Sequence, residues 1–404
     1  MSTNSPVEEV TQAELTTLIQ KALNRPAAQI SSWKVHSIHG GLELNSSVFR
    51  FQGEASNGAE TFPWSMILKT IKSTEKANDP AGIWYWKRES LAYQSGLLHR
   101  LPGGNITAPA CFAVREQPDG SVWLWIEDVK EDISNPWPIE NYGTVARQLG
   151  QFNGAYLTGQ SIPAESWVTH NWLRMYIQNA TPMIQFIHQN PQHPIVRRMF
   201  PGGTLNQILA IWDEHEAILE MLENLPQVFC HQDAFRRNLF SRGGRTVAID
   251  WGYFGNAPVG AELVALVAGS MGLFEIPADR VMELDQLCFE GYLQGLRDSG
   301  WNADPKVVRT GYAVSLLLRY PIGGSVGEML PRFLDEAERS NMEAAFENKT
   351  AADLEQSDPA IIAYYEKVLP EALKLLGMKR LLRLVSRIGW YTLRLRPGKS
   401  KSRT

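Results

Sequence analysis

The run His231-Gln232-Asp233-Ala234-Phe235-Arg236-Arg237-Asn238 is followed twelve residues later by Asp250-Trp251-Gly252, and no other feature constrains this chain as much. Between the two lie Leu239-Phe240, a Gly243-Gly244 pair and Val247-Ala248-Ile249. Paired glycines between short apolar runs predict a tight β-hairpin. Asp233 and Asn238 then lie at the two ends of one loop, with Asp250 at the end of the next strand. Any one of these residues alone would be an ordinary turn former. Four matched chemical types at this spacing suit the transfer of a phosphoryl group instead. A carboxylate (Asp233) can take the proton of an attacking hydroxyl. An amide oxygen (Asn238) and a second carboxylate (Asp250) are hard donors of the kind that hold Mg²⁺ against phosphates.

Such chemistry needs further parts upstream, and the chain has candidates in the required order. Gly40-Gly41-Leu42-Glu43-Leu44-Asn45-Ser46-Ser47 lies between two β-like runs, Trp33–Ile38 and Val48–Phe51. The glycines permit a turn that side chains would obstruct, and Ser46 and Ser47 can donate to phosphate oxygens. Phe62–Ile71 reads as a strand with Lys69 near its end, and Glu89 follows in the helix-like segment Trp84–Leu101. A strand lysine and a helix glutamate are usually solvated surface charges. Their order after the glycine pair predicts that Lys69 meets the phosphates while Glu89 orients its ammonium.

On these residues the chain resembles the aminoglycoside phosphotransferase/choline kinase family, small-molecule kinases that share the two-lobed protein-kinase architecture. The resemblance runs from about Trp33 to Arg319 and is sharpest at His231–Asn238 and Asp250–Gly252. It implies that Asp233 is the catalytic base, that Asn238 and Asp250 are Mg²⁺ ligands, and that Lys69 is the ATP lysine. His231 then supports the catalytic loop. Ser121–Val129 resembles the family's hinge, where the backbone around Glu127 and Val129 meets adenine. Pro258–Leu266 resembles the helix after the metal-binding aspartate, with Glu262 in the place of a more usual aspartate. Three positions depart from related patterns. Gln232 stands where the family commonly has glycine and protein kinases have arginine. Trp251 replaces the phenylalanine of protein kinases, and Phe235 sits where protein Ser/Thr kinases place a lysine. The last two argue against a protein kinase, as does the short stretch between Gly252 and Pro258.

The whole chain fits an α+β protein of two lobes. A capping box, Thr11 with Glu14, opens an amphipathic helix over Thr11–Asn24. Strands are expected near 32–38, 47–53, 62–71, 109–115 and 121–127. Helices are expected over Tyr142–Leu157, Trp167–Gln189, Thr204–Leu225, 258–271, 277–298 and 305–320. The expected division is a nucleotide-binding lobe over 1–128, a helical lobe over 129–330 and a helical extension over 331–404. Cys111, Cys230 and Cys288 are odd in number and scattered, so they imply no disulfide framework. Cys230 reads as a buried strand residue entering the loop. No signal-peptide pattern or run of spanning length occurs, which leads us to expect a cytoplasmic protein. From Ala372 onward there are ten lysines and arginines and no acidic residue. Arg380, Arg383 and Arg387 recur at helical spacing, with Leu381, Leu384, Val385 and Ile388 largely on another side. That tail reads as a docked C-terminal helix, or as a basic amphipathic helix able to lie on an anionic membrane. No nucleic-acid contact is expected.

The leading expectation is an ATP- and Mg²⁺-dependent phosphotransferase acting on a hydroxyl of a small molecule. Its rival is a non-catalytic nucleotide-binding regulator on the same scaffold, with a protein kinase third. The sequence favours the enzyme because Asp233, Asn238, Asp250 and Lys69 are all present.

Overall fold

The computed structural model describes residues 10–38, 46–74, 77–272, 275–302, 304–345, 350, 353–354 and 359–377. The Gly40-Gly41 turn and nearly all of the basic tail lie outside the described residues. The described chain is α+β and forms two compact units. The first comprises 1–135, 163–169 and 237–254, and the second 136–162, 170–236 and 255–404.

The first unit is organised by a five-stranded antiparallel sheet. Its strands are β1 (Gln29–Ile38), β2 (Ser46–Ser56), β3 (Thr61–Ile71), β5 (Cys111–Glu116) and β6 (Val122–Glu127), ordered β1-β2-β3-β6-β5. The two-residue strand β4 (Ile106–Thr107) pairs parallel with Arg245–Ala248, whose other neighbour is Leu239–Arg242. Helix α1 (Gln12–Leu23) contributes Leu15, Leu18 and Ile19 to a core with Phe51, Trp64, Met66, Leu68 and Trp125. Thr11 caps it by accepting from the Glu14 amide at 3.2 Å, and Asn24 closes it in the left-handed region at φ 52°. Glu14 does not complete the expected box; its carboxylate pairs with Arg115. Along β3 the alternation of a half-buried strand puts Trp64, Met66 and Leu68 into that core, and Lys69 consequently points to the opposite face.

The expected Trp84–Leu101 helix is shorter than its pattern. Helix α2 spans Arg88–Gln94, and a 3₁₀ turn follows at Leu97–His99. Gly96, at φ 73°, interrupts it. The expected hairpin forms with strands Leu239–Arg242 and Arg245–Ala248. Gly243 and Gly244, at φ 58° and 73°, supply the paired left-handed residues that such a two-residue turn requires.

The second unit is mainly helical, and three of the expected helices are corrected. Trp167–Gln189 is two helices, Trp172–Gln178 and Thr181–Gln189, because Asn171 takes a left-handed φ of 56° before the first and Pro182 starts the second. Thr204–Leu225 divides into Thr204–Asp213 and His215–Glu223. Pro258 ends a strand instead of opening a helix: Gly255–Pro258 pairs antiparallel with Gln227–Cys230, and the helix begins at Glu262. It then passes into a π-helical stretch at Ala265–Gly269, and the helix Pro305–Leu318 passes into another at Arg319–Met329.

Two packing devices set the loop at His231. Helix α3 (Ile139–Leu157) lies against the helix Val281–Asp298 at glycine contacts too close for side chains. A Cβ on Gly295 would stand 1.9 Å from the Arg147 carbonyl, and one on Gly150 would stand 2.3 Å from that of Tyr292. From this seam the buried Asn153 amide donates to the Phe229 carbonyl at 2.8 Å. Its oxygen accepts from Tyr292 Oη at 2.7 Å, and Tyr292 Oη accepts from the Gly260 amide at 3.2 Å. Elsewhere, Asp285 accepts from the hydroxyls of Tyr312 and Tyr364 and pairs with Arg309 at 2.9 Å, while Arg309 also pairs with Glu371 at 2.8 Å. This cluster ties Val281–Asp298, Pro305–Leu318 and Pro359–Leu375 together.

The seam yields a first prediction. Gly295→Ala must push α3 and its partner helix apart, and overpacking of this kind costs about 1–3 kcal/mol. Urea unfolding should show that loss. An unchanged midpoint would mean that the two helices separate freely.

Candidate active site

In the first unit three ionisable side chains converge from distant stretches of chain. Lys69 Nζ, at the end of β3, lies 2.8 Å from Glu89 Oε2 of α2 and is also ion-paired with Asp250 Oδ1. The Lys69 and Glu89 side chains are 12% and 3% exposed, and that of Asp250 is 30% exposed. Burial pushes the Glu89 carboxyl above its ordinary range, and neighbouring Asp250 adds to the rise against the pull of Lys69. The other oxygen of Glu89 accepts from the Trp251 amide at 3.3 Å. Trp251 is fully buried, with its indole N–H on the Ala248 carbonyl at 2.7 Å. Asp250 has a left-handed φ of 61°, a conformation that an L side chain adopts only at some cost.

The hairpin explains how Asn238 joins this group. The Ile249 amide donates to the Asn238 carbonyl at 2.9 Å, one register step beyond the Leu239–Ala248 pair. Asn238 and Asp250 therefore occupy the same open end of the hairpin. Ser47 pairs with Thr70 and Val48 with Lys69, so Ser46 and Ser47 sit at the β2 end beside the lysine.

The segment after β6 is pinned to the same hairpin. Glu127 accepts from the Ala110 amide at 3.2 Å and pairs with Arg242. The Asp132 amide donates to the Ser241 carbonyl at 2.9 Å, and Asp132 accepts from the Gly243 amide at 2.6 Å. Between them, Asp128 is buried with Arg50 bonded to both its oxygens at 3.0 Å and with Lys130 at 2.7 Å. Burial alone would raise the Asp128 carboxyl, yet Lys130 and Arg50 together hold it below its ordinary range. Val129, next in line, is buried.

The second unit holds the loop that bears Asp233. His231 is buried, and its Nδ1 accepts from the Asp233 amide at 3.2 Å. That bond requires an unprotonated Nδ1, which makes the ring a brace for the loop backbone. Glu262, fully buried, grips the loop from the other side: Oε2 accepts from the His231 amide at 2.8 Å and Oε1 from the Gln232 amide at 3.1 Å. Gln232 has a left-handed φ of 69°, where glycine would sit without strain. Its carbonyl accepts from Arg319, whose guanidinium lies over the Trp172 ring at 4.7 Å and 3.8 Å from Asp233 Oδ1. Phe235 and Tyr320 crowd Gly269, where a Cβ would lie 3.0 Å from Phe235 Cβ and 2.7 Å from Tyr320 Oη. Cys230 is wholly buried, and desolvation pushes its thiol far above the usual range, as befits a packing residue.

Among the described residues, the structure thus brings Lys69, Glu89, Asn238, Asp250, Ser46 and Ser47 into one neighbourhood of the first unit. It places His231 and Asp233 together in the second. Three partners went unnoticed in the sequence: Arg319, Arg88 and Arg50. Each reads there as an ordinary surface cation; tertiary burial distinguishes Arg319 and Arg88, and the bonds to buried Asp128 distinguish Arg50.

The model of the phosphotransferase enzyme family (APH) matches residues 79–303, more than half of the chain. No curated protein matches. Among solved structures the chain is similar to a choline kinase from Cryptosporidium parvum Iowa II, with 14% identity over 89% of this chain and 94% of that one and a TM-score of 0.48. It is similar to an amicoumacin kinase in complex with AMP-PNP, Ca²⁺ and Ami, with 14% identity over 85% and 96% and a TM-score of 0.47. A spectinomycin phosphotransferase in complex with ADP and spectinomycin shares 13% identity over 86% and 98%, with a TM-score of 0.42.

Glu262 supplies a pH test of the loop brace. Burial raises its carboxyl above the ordinary range against the amides of His231 and Gln232. The folded chain therefore binds that proton more tightly than the unfolded chain does. The resulting stability is present below the ordinary glutamate value, about 4.3, and is lost as pH rises through the folded value. Glu262→Gln removes this dependence. The stability of wild type relative to the variant should fall as pH rises above about 4.3. Urea unfolding across that range measures it, and a flat or rising difference would contradict the assignment.

Proposed function

This chain belongs to the phosphotransferase enzyme family, and on that footing we propose that it moves the γ-phosphoryl group of ATP to a hydroxyl of a small molecule. The observation that carries the proposal is the Lys69 ammonium held between Glu89 and Asp250. A largely buried lysine gripped by two carboxylates from separate segments is a costly arrangement for stability alone. It suits a site where a polyanion will share that ammonium.

In this reading Glu89 aims the lysine and Lys69 engages phosphate oxygens, with the amides and hydroxyls of Ser46 and Ser47 beside it. The backbone at Glu127 and Val129 meets the adenine. The Asn238 amide oxygen and the Asp250 carboxylate, both hard donors at one hairpin end, fit a divalent cation such as Mg²⁺. When bound, that ion would neutralise charge on the phosphates. Asp233 takes the proton of the acceptor hydroxyl, while His231 and Glu262 keep its loop in shape. The division that goes with this reading is a nucleotide-binding lobe over 1–128, a helical lobe over 129–330 and an extension over 331–404, although the hairpin within 237–254 clusters with the first unit.

A regulator that only binds nucleotide would have no need of Asp233 in addition to Lys69, Glu89, Asn238 and Asp250. A protein substrate is disfavoured because only two residues lie between Gly252 and the strand Gly255–Pro258, too few for a segment that would dock a peptide.

An acceptor screen that follows ATP consumption tests the proposal, and Asp233→Asn is its decisive control. Turnover should fall by about 10²–10⁴, while AMP-PNP affinity stays within about twofold, because the base contacts the acceptor and not the nucleotide. Full turnover in this variant would overturn the role of Asp233. Lys69→Met should instead weaken nucleotide binding itself.

A further inference from the structure

Arg88 is fully buried in the first unit, and each of its hydrogen bonds goes to a backbone carbonyl. Nε donates to Trp167 O at 2.8 Å, Nη1 to Ile83 O at 2.7 Å and Gly252 O at 3.0 Å, and Nη2 to Gly82 O and, at 3.5 Å, to Pro80 O. Desolvation draws its pKa down to about 10, still far enough above neutrality to keep it charged. Burying a cation against carbonyl dipoles is expensive, and a well-packed apolar side chain would cost less. The guanidinium does what such a side chain cannot: its planar fork reaches three separate stretches of backbone, at 80–83, 167 and 252.

One of those stretches is the turn after the proposed metal ligand. Adjacent residues of α2 grip it from two sides, since Glu89 accepts the Trp251 amide at 3.3 Å while Arg88 donates to the Gly252 carbonyl. Trp251 closes the turn with its indole bond to Ala248. The clamped residue, Asp250, is the one in the left-handed region. A residue in that conformation persists only where its surroundings over-determine it.

We propose that Arg88 is a positioning residue for Asp250, holding the Asp250-Trp251-Gly252 turn in the conformation that presents the carboxylate to a divalent cation. Arg88 touches neither nucleotide nor ion; it acts through the Gly252 carbonyl. The same helix would thus serve both charges of the site, Glu89 setting the lysine and Arg88 setting the metal ligand. The proposal rests on the phosphotransfer reading above.

The test is calorimetric titration of the full chain with AMP-PNP, in Mg²⁺ and again in EDTA, for wild type, Arg88→Met and Arg88→Lys. Wild type should bind more tightly with Mg²⁺. Both variants should lose about tenfold of that metal-supported gain while their affinity in EDTA stays within about twofold, because a single fixed contact is worth roughly 1–2 kcal/mol. Lysine can replace one carbonyl bond but not the fork, and it decides the matter if the methionine variant does not fold. Variants that lose affinity equally in Mg²⁺ and EDTA, or that keep the full metal-supported gain, would overturn the positioning role alone. A wild-type chain without metal-supported binding would overturn the phosphotransfer reading and this proposal together.

Discussion

The Lys69 ammonium and its two carboxylates are the interaction on which the first unit turns. Desolvating one lysine and one glutamate costs several kcal/mol each unless the charges meet in good geometry. That geometry requires β3, α2 and the end of the Leu239–Ala248 hairpin to arrive together, as Lys69, Glu89 and Asp250 do. Much of the surrounding construction reads as the means to that end. Period-two burial along β3 turns Lys69 away from the α1 core. Paired left-handed glycines fold the hairpin back so that Asn238 and Asp250 share an end. Buried Arg88 and Trp251 then fix the turn beyond it.

The second unit solves a different problem with the same means, a charged side chain spent on backbone. Glu262 receives two successive amides, Arg319 donates to the carbonyl between them and Asp233, and Asn153 holds Phe229 just upstream. Gln232 is thereby kept in a left-handed conformation that its side chain disfavours. The bracing glutamate stands where the resemblance would place a shorter aspartate, and its two oxygens accept from the two successive amides. The departure at Gln232 and the carboxylate at Glu262 belong to one device: the strained residue persists because its amide and carbonyl are both held.

What was legible in the sequence was whatever chemistry imposes at short range. Asp233, Asn238 and Asp250 stand at fixed separations because one loop and one hairpin join them, and Gly243-Gly244 announced that hairpin. Lys69 and Glu89 were legible through order along the chain. Arg88 and Arg319 were not, because nothing local separates a buried arginine from a solvated one. The strand Gly255–Pro258 was missed because its partner, Gln227–Cys230, lies far upstream, and pairing of that kind leaves no periodicity to read. Helices were overextended at Asn171 and Glu214, where the apolar pattern continues across a break in the backbone. The π-helical stretch at Ala265–Gly269 escaped because its composition is that of an ordinary buried helix, and the one at Arg319–Met329 because a proline and three glycines leave no apolar period to read.

Hydrogen–deuterium exchange of the full chain with AMP-PNP and Mg²⁺ tests the central claim most directly, since it requires no knowledge of the acceptor. If Lys69, Glu89 and Asp250 form a nucleotide and metal site, slowed exchange in the first unit should concentrate at the end of β3, in α2 and around residues 238–252. It should shrink when Mg²⁺ is withheld. Protection confined to other segments, or none at all at saturating nucleotide, would contradict the account.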